Sequence, residues 1–154
     1  MNALTKKGVL SEDKLFATLE TRTGDAWIGD GEHGVRALVH DTIGFIRDLP
    51  PDLIEAFRST LEDSIESDVL LHVIDAGDPR IEEKLATVEN ILADIGAAQP
   101  RIHVFNKSDT LSEREIVLYR EKYAILDPVF VSAADRTGVN ELKTRMYHAL
   151  LEFL

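Results

Sequence analysis

The chain has 154 residues, 44% of them hydrophobic and 29% charged, which is enough for one domain with a proper core and unlike a disordered segment or linker array. With no cysteine, a disulfide framework, a thiolate metal site and a thiol nucleophile are all excluded. Lys+Arg 17 against Asp+Glu 28 leaves a net charge of -11, a field that repels phosphate backbones and anionic membranes, so generic nucleic-acid binding is not expected.

The amino terminus, Met1 to Leu10, is polar, and no apolar run is long enough to span a bilayer, so a cytoplasmic protein without a membrane span is expected. Asp25 to Ile28 and Val35 to Val39 flank the turn-rich Gly29-Asp30-Gly31-Glu32-His33-Gly34, which predicts an antiparallel hairpin. The same glycines match G-x-G-x-x-G, but a dinucleotide fingerprint needs a helix where Val35 to Val39 reads as a strand. Trp27, without basic or aromatic neighbours, reads as a packing residue rather than a base-stacking platform.

After Pro50 and Pro51, the apolar stripe Ile54, Phe57, Leu61 and Ile65 predicts a helix whose first turn tolerates proline. Val69 to Ile74, Ile102 to Phe105 and Val129 to Val131 are short, apolar and rich in β-branched residues, as buried parallel strands are. Between the first two, Ile81, Leu85, Val88, Leu92 and Ile95 form the dry side of a helix closed by Gly96, with Glu82, Glu83, Glu89 and Asp94 on its wet side. A shorter helix begins at Ser112, with Glu115 completing a capping box, and a last one runs from about Val139 through Leu142, Met146, Ala149 and Phe153. His72 and His103 lie inside strands and His33, His40 and His148 are scattered; none shows a metal-ligand spacing, so they read as packing or surface residues. Alternating strands and helices predict an open, doubly wound, mostly parallel α/β sheet with one antiparallel edge hairpin, its ligands beyond the carboxyl ends of the strands.

Three motifs stand at such ends. Asn106-Lys107-Ser108-Asp109 directly follows a strand, giving N-K-x-D. Guanine presents an N1–H and an exocyclic amine on one edge, and a carboxylate such as Asp109 accepts both, a pair that adenine lacks. Asn106 is suited either to the ring acceptors or to tying neighbouring loops together, while the Lys107 methylenes can cover a base. By itself the segment is equally compatible with a turn and helix cap. Asp41-Thr42-Ile43-Gly44 supplies D-x-x-G, with a carboxylate for a Mg²⁺ water and a glycine N–H for a γ-phosphate. Ser132-Ala133 follows the last strand, where backbone N–H groups can meet the guanine O6. Their order and their common position at strand ends point to a guanine-nucleotide fold.

Lys14-Leu15-Phe16-Ala17-Thr18-Leu19, Asp41 through Pro50, Ala56 through Leu61, Leu70 through Ala76 and Asn106-Lys107-Ser108-Asp109 resemble the G domain of HflX-type GTPases, of the ribosome-associated Obg-HflX group. The resemblance runs from the first residue to nearly the last. It implies a P-loop NTPase-like fold, GTP/GDP and Mg²⁺ as ligands, and GTP hydrolysis coupled to binding of the large ribosomal subunit. It further implies that Thr18 contacts Mg²⁺ and γ-phosphate, that Asp41 and Gly44 begin the second switch with Asp41 near Mg²⁺, and that Asn106, Lys107, Asp109, Ser132 and Ala133 hold the base.

The sequence contains no G-x-x-x-x-G-K-[ST], the loop whose amides, lysine and hydroxyl hold phosphates and Mg²⁺. In the resembling family that loop leads into a helix whose next residues look like Met1 to Thr5. Residues 1–154 are therefore expected to be a single partial G domain lacking the first strand and P-loop, inactive alone. Phe45 also occupies the place after D-x-x-G where many GTPases keep a water-orienting glutamine. The rival expectation is a non-catalytic interaction module on a GTPase-like fold. A receiver domain phosphorylated on Asp41 or Asp75 would leave N-K-x-D without a role.

Overall fold

The structure is a computed structural model in which residues 2–5, 22–42 and 64–154 are described. Of the helix expected along Ile54, Phe57, Leu61 and Ile65, the part before residue 64 lies outside them, and residues 64–66 are helical. Strands β1 (Arg22–Gly29) and β2 (Gly34–Asp41) form the antiparallel hairpin, with Gly29 opposite Gly34. The turn closes because the Asp30 carboxylate accepts the N–H groups of Glu32 and His33 at 3.0 and 2.8 Å, while Gly31 takes φ +108°, a value that a side chain would strain. The G-x-G-x-x-G match is thus a hairpin turn. Trp27 differs from its expected packing role: it is 60% exposed, and its indole lies so close to Gly34 that a methyl there would meet it at 2.7 Å.

A second sheet holds β3 (Leu70–Asp75), β4 (Arg101–Asn106) and β5 (Val129–Phe130), all parallel and in sequence order. Helix α1 (Ile81–Asp94) joins β3 to β4, α2 (Glu113–Lys122) lies between β4 and β5, and α3 (Val139–Leu150) follows β5 before a short 3-10 turn, Leu151–Phe153. The Ser112–Glu115 capping box is formed as the sequence predicts. Gly138 starts α3 at φ +72°, where a β-carbon would stand 2.0 Å from the Phe130 carbonyl oxygen, so only glycine lets the helix begin this close to β5. Among the described residues the hairpin is not hydrogen-bonded to the parallel strands, so β1 and β2 are the edges of one sheet and β3 and β5 those of the other. No described helix is long and apolar enough to cross a membrane.

Consecutive strand residues belong to different cores because side chains alternate across a sheet. Val104, Val129 and Val131 face Ala26 and Ile28 of β1 and Leu142 and Met146 of α3. Ile74, Phe105 and Phe130 face Ile81 of α1 and Tyr123 beyond α2. With both faces covered, β4 is apolar on both sides from Ile102 to Phe105 except at His103. Phe105 is fully buried and meets Tyr123, Phe130 and Tyr119 edge to face at centroid distances of 5.1, 5.3 and 6.4 Å, a favourable arrangement of ring quadrupoles. This residue immediately precedes Asn106, so the aromatic cluster sets where the N-K-x-D segment leaves the sheet. Phe105→Ala should destabilise the chain by about 3–5 kcal/mol, as large-to-small changes in tight cores do, and Phe105→Leu by less. Urea unfolding checks this; equal midpoints for Phe105→Ala and the unmutated chain would show that the cluster carries no weight.

Candidate functional site

Parallel pairing in register sets Asp75 beside Asn106 and Phe105 beside Phe130, so the strand ends lie together. Backbone bonds then lace the departing chains. The Ala76 N–H donates to the Asn106 carbonyl at 2.8 Å, the Val131 N–H to the Phe105 carbonyl at 2.9 Å, and the Ser108 N–H to the Val131 carbonyl at 3.0 Å.

Lys107 turns the chain with φ 62° and ψ 35°, a left-handed conformation that costs a non-glycine residue on the order of 1–3 kcal/mol. Local bonds offset it: its carbonyl accepts the Thr110 N–H at 3.0 Å and the Thr110 hydroxyl at 2.8 Å. Its ammonium donates to the Asp75 carboxylate at 2.8 Å, while the other Asp75 oxygen accepts the Gly77 N–H at 3.0 Å. Burial works against ionised Asp75, but the hydrogen bonds from Lys107 and Gly77 outweigh it and hold its pKa below the usual carboxylate value. The stabilisation is therefore present at neutral pH and is lost as acid protonates Asp75. Asp75 thus belongs to the site, although the base-binding assignments did not include it. Its signal is a carboxylate at the end of the strand that pairs with the one leading into N-K-x-D.

The Asn106 amide oxygen accepts the Ala133 N–H at 3.0 Å, so of the two roles open to this side chain, tying loops together is the one present. Ser132 is completely buried. Its N–H donates to the Thr137 carbonyl at 2.9 Å and its hydroxyl accepts the Asp135 N–H at 3.4 Å. Both amides considered for the guanine O6 are therefore engaged within the protein, and any further acceptor at Ala133 has to share its N–H with Asn106.

Asp109 is exposed in the 3-10 turn Ser108–Thr110, where its carboxylate is open to a donor pair. The structure thus brings Asn106, Lys107, Asp109, Ser132 and Ala133 together, with Asp75 beneath them. Asp41 ends β2, opposite Arg22 in the other sheet. Thr18, Gly44 and Phe45 lie outside the described residues.

Asn106→Ala removes the acceptor of the Ala133 N–H, a bond worth about 1 kcal/mol, and amide exchange at Ala133 should quicken roughly fivefold on that scale. Asn106→Asp keeps the acceptor and should keep the protection. Unchanged exchange in Asn106→Ala would show that the two loops are held by other contacts.

The profile of the family described as 50S ribosome-binding GTPases matches residues 1–107. The GTPase HflX of Caldanaerobacter subterraneus is 43% identical over 143 residues, covering 92% of this chain and 31% of the relative. That of Magnetococcus marinus is 40% identical over 150 residues, with coverages of 97% and 34%. The chain therefore spans about a third of the length of these curated relatives. Among solved structures, Era of Aquifex aeolicus bound to GDP and AlF4⁻ aligns with TM-score 0.67 at 23% identity, and Era in complex with MgGDPNP and a 16S ribosomal RNA segment with TM-score 0.69 at 24%. Each alignment covers 96% of this chain and 50% of the Era chain, a likeness of fold to P-loop GTPases. With the family profile matched over more than half of its length and HflX proteins as its curated relatives, the chain belongs to the 50S ribosome-binding GTPases, in their HflX branch.

Proposed function

We propose that residues 1–154 are a single partial G domain, the base-reading part of an HflX-type GTPase that, as a whole protein, hydrolyses GTP to GDP and phosphate. Its nucleotide state would set its affinity for the large ribosomal subunit, in the cytoplasm. The observation that carries this reading is the N-K-x-D turn at the end of β4, braced by Asn106 on the β5 loop and by Lys107 on Asp75. On that turn Asp109 accepts the two donors of the guanine edge, Lys107 covers the base with its methylenes, and Ser132 and Ala133 bound the pocket from the neighbouring loop. The open edges of β2 and β3 fit the first strand of the resembling fold, which lies between them.

The residues fit the base better than they fit phosphates or Mg²⁺. A Mg²⁺ ion takes oxygen donors, and of the two proposed, Asp41 stands at the end of β2 while Thr18 lies outside the described residues. The sequence holds no G-x-x-x-x-G-K-[ST], so no hydrolytic step is derived for these residues alone. Losing several charge-assisted bonds of about 1.5–3 kcal/mol each, at tenfold in affinity per 1.4 kcal/mol, makes binding by these residues weak and dependent on the base.

Two measurements test the proposal. The 154-residue chain should release no phosphate from GTP above background. The same chain extended upstream by a strand and a G-x-x-x-x-G-K-[ST] loop should release it in a manner abolished by Asp41→Ala. Hydrolysis by the unextended chain that is sensitive to Asp41→Ala would contradict the division of labour. Weak binding should favour GDP over ADP, and Asp109→Asn should erase the preference, since an amide offers one acceptor and one donor to two donors. Equal affinity of the unmutated chain for GDP and ADP would remove the basis of the assignment.

A further inference from the structure

We propose that His72, Glu89 and His103 form a site for a divalent transition-metal ion of the zinc type, clamping α1 to the β3–β4 pair. His72 and His103 are direct partners in the parallel register, and their rings stand 5.6 Å apart between centroids. They share the sheet face of Ile74 and Phe105, which α1 covers, and Glu89 reaches them from that helix. One potential ligand atom from each of the three lies within 4.8 Å of the others. Tetrahedral Zn²⁺ with bonds of about 2.0–2.1 Å holds its ligands roughly 3.4 Å apart, so small side-chain rotations close the set. Two imidazoles and one carboxylate suit Zn²⁺, Co²⁺ or Ni²⁺ rather than Mg²⁺ or Ca²⁺, and leave a fourth position for water.

The second observation is the state of the rings. His103 is only 9% exposed, yet both of its nitrogens are buried without a hydrogen-bond partner, as is His72 Nδ1. His103 Nε2 stands 3.6 Å from Glu89 Oε1, too far for a hydrogen bond. An imidazole always carries at least one N–H donor, and burying polar groups unpaired is costly. A cation bound to the lone pair of each ring would take up one unpartnered nitrogen on each histidine, leaving the other ring nitrogen as the N–H. Arg101 pairs with Glu89 Oε2, which orients the carboxylate and leaves Oε1 toward His103, the role outer-shell partners play at metal sites. The site lies three residues, roughly 10 Å of strand, before the ends at Asp75 and Asn106, and is separate from the nucleotide-binding loops.

The test is titration of the chelator-treated 154-residue chain with Co²⁺ and then Zn²⁺. One equivalent of Co²⁺ should produce visible d–d bands that Zn²⁺ abolishes, and Zn²⁺ should raise the unfolding midpoint. His72→Gln, His103→Gln and Glu89→Gln should each weaken Zn²⁺ binding by roughly tenfold or more, while His33→Asn and His40→Asn leave it unchanged. Should a histidine variant lose its fold, ¹H–¹⁵N ring correlations of the unmutated chain decide. Shifts of His72 and His103 on adding Zn²⁺ support the site, and shifts confined to His33, His40 and His148, or none, overturn it. Binding unaltered by Glu89→Gln and both glutamine variants also overturns it.

Discussion

The register of three parallel strands is the constraint on which the remaining features rest. Because β3, β4 and β5 pair in parallel, their carboxyl ends finish on one side of the sheet, and the loops that follow meet there without further instruction. A slip of one residue would exchange Val104 for Phe105 between the two cores, and would carry Asn106 out of reach of the Ala133 N–H. The same register places His72 beside His103. One pairing thus governs the packing, the braced turn and the histidine pair, and Phe105 inside its aromatic cluster holds it in place.

The bracing has a functional sense. A left-handed lysine is a strained way to leave a strand, and it persists because Thr110 and Asp75 over-determine it. Rigid loops that need no ordering on binding lose less entropy when a base docks. A surface of net charge -11 works against phosphate-rich partners at long range. On the proposed reading, base recognition rests on this chain, while attraction for phosphates and ribosomal RNA has to come from elsewhere in the whole protein.

What the sequence made legible was local. Turn residues, apolar β-branched runs and three-to-four periodicity located the hairpin, the three parallel strands and the helices after the first two parallel strands, although β1 starts three residues before the expected Asp25 and the last α-helix gives way to a 3-10 turn after Leu150. The capping box at Ser112 was visible as spacing alone. N-K-x-D was legible because its chemistry lies within four consecutive residues. Long-range facts were not. That Asp75 pairs with Lys107 needs the alignment of two strands separated by a crossover helix. Glu89 looked solvated because it flanks the apolar stripe of α1, yet a flank position on a helix packed against a sheet is half covered, and this one points its carboxylate at two histidines. Sequence spacing cannot reveal that His72 and His103 are neighbours, since their separation of 31 residues becomes contact only through the register. The engagement of the Ser132 and Ala133 amides depends likewise on loop closure, which no motif encodes.

The most direct test of the account is the map of backbone amide shifts in the ¹⁵N-labelled chain titrated with GDP and, separately, with ADP. The account predicts that GDP moves the amides of Asn106 through Asp109 together with Ser132 and Ala133, and that ADP at the same concentration leaves them in place. Identical maps for the two nucleotides, or GDP shifts that avoid both loops, would contradict the claim that these strand ends read guanine.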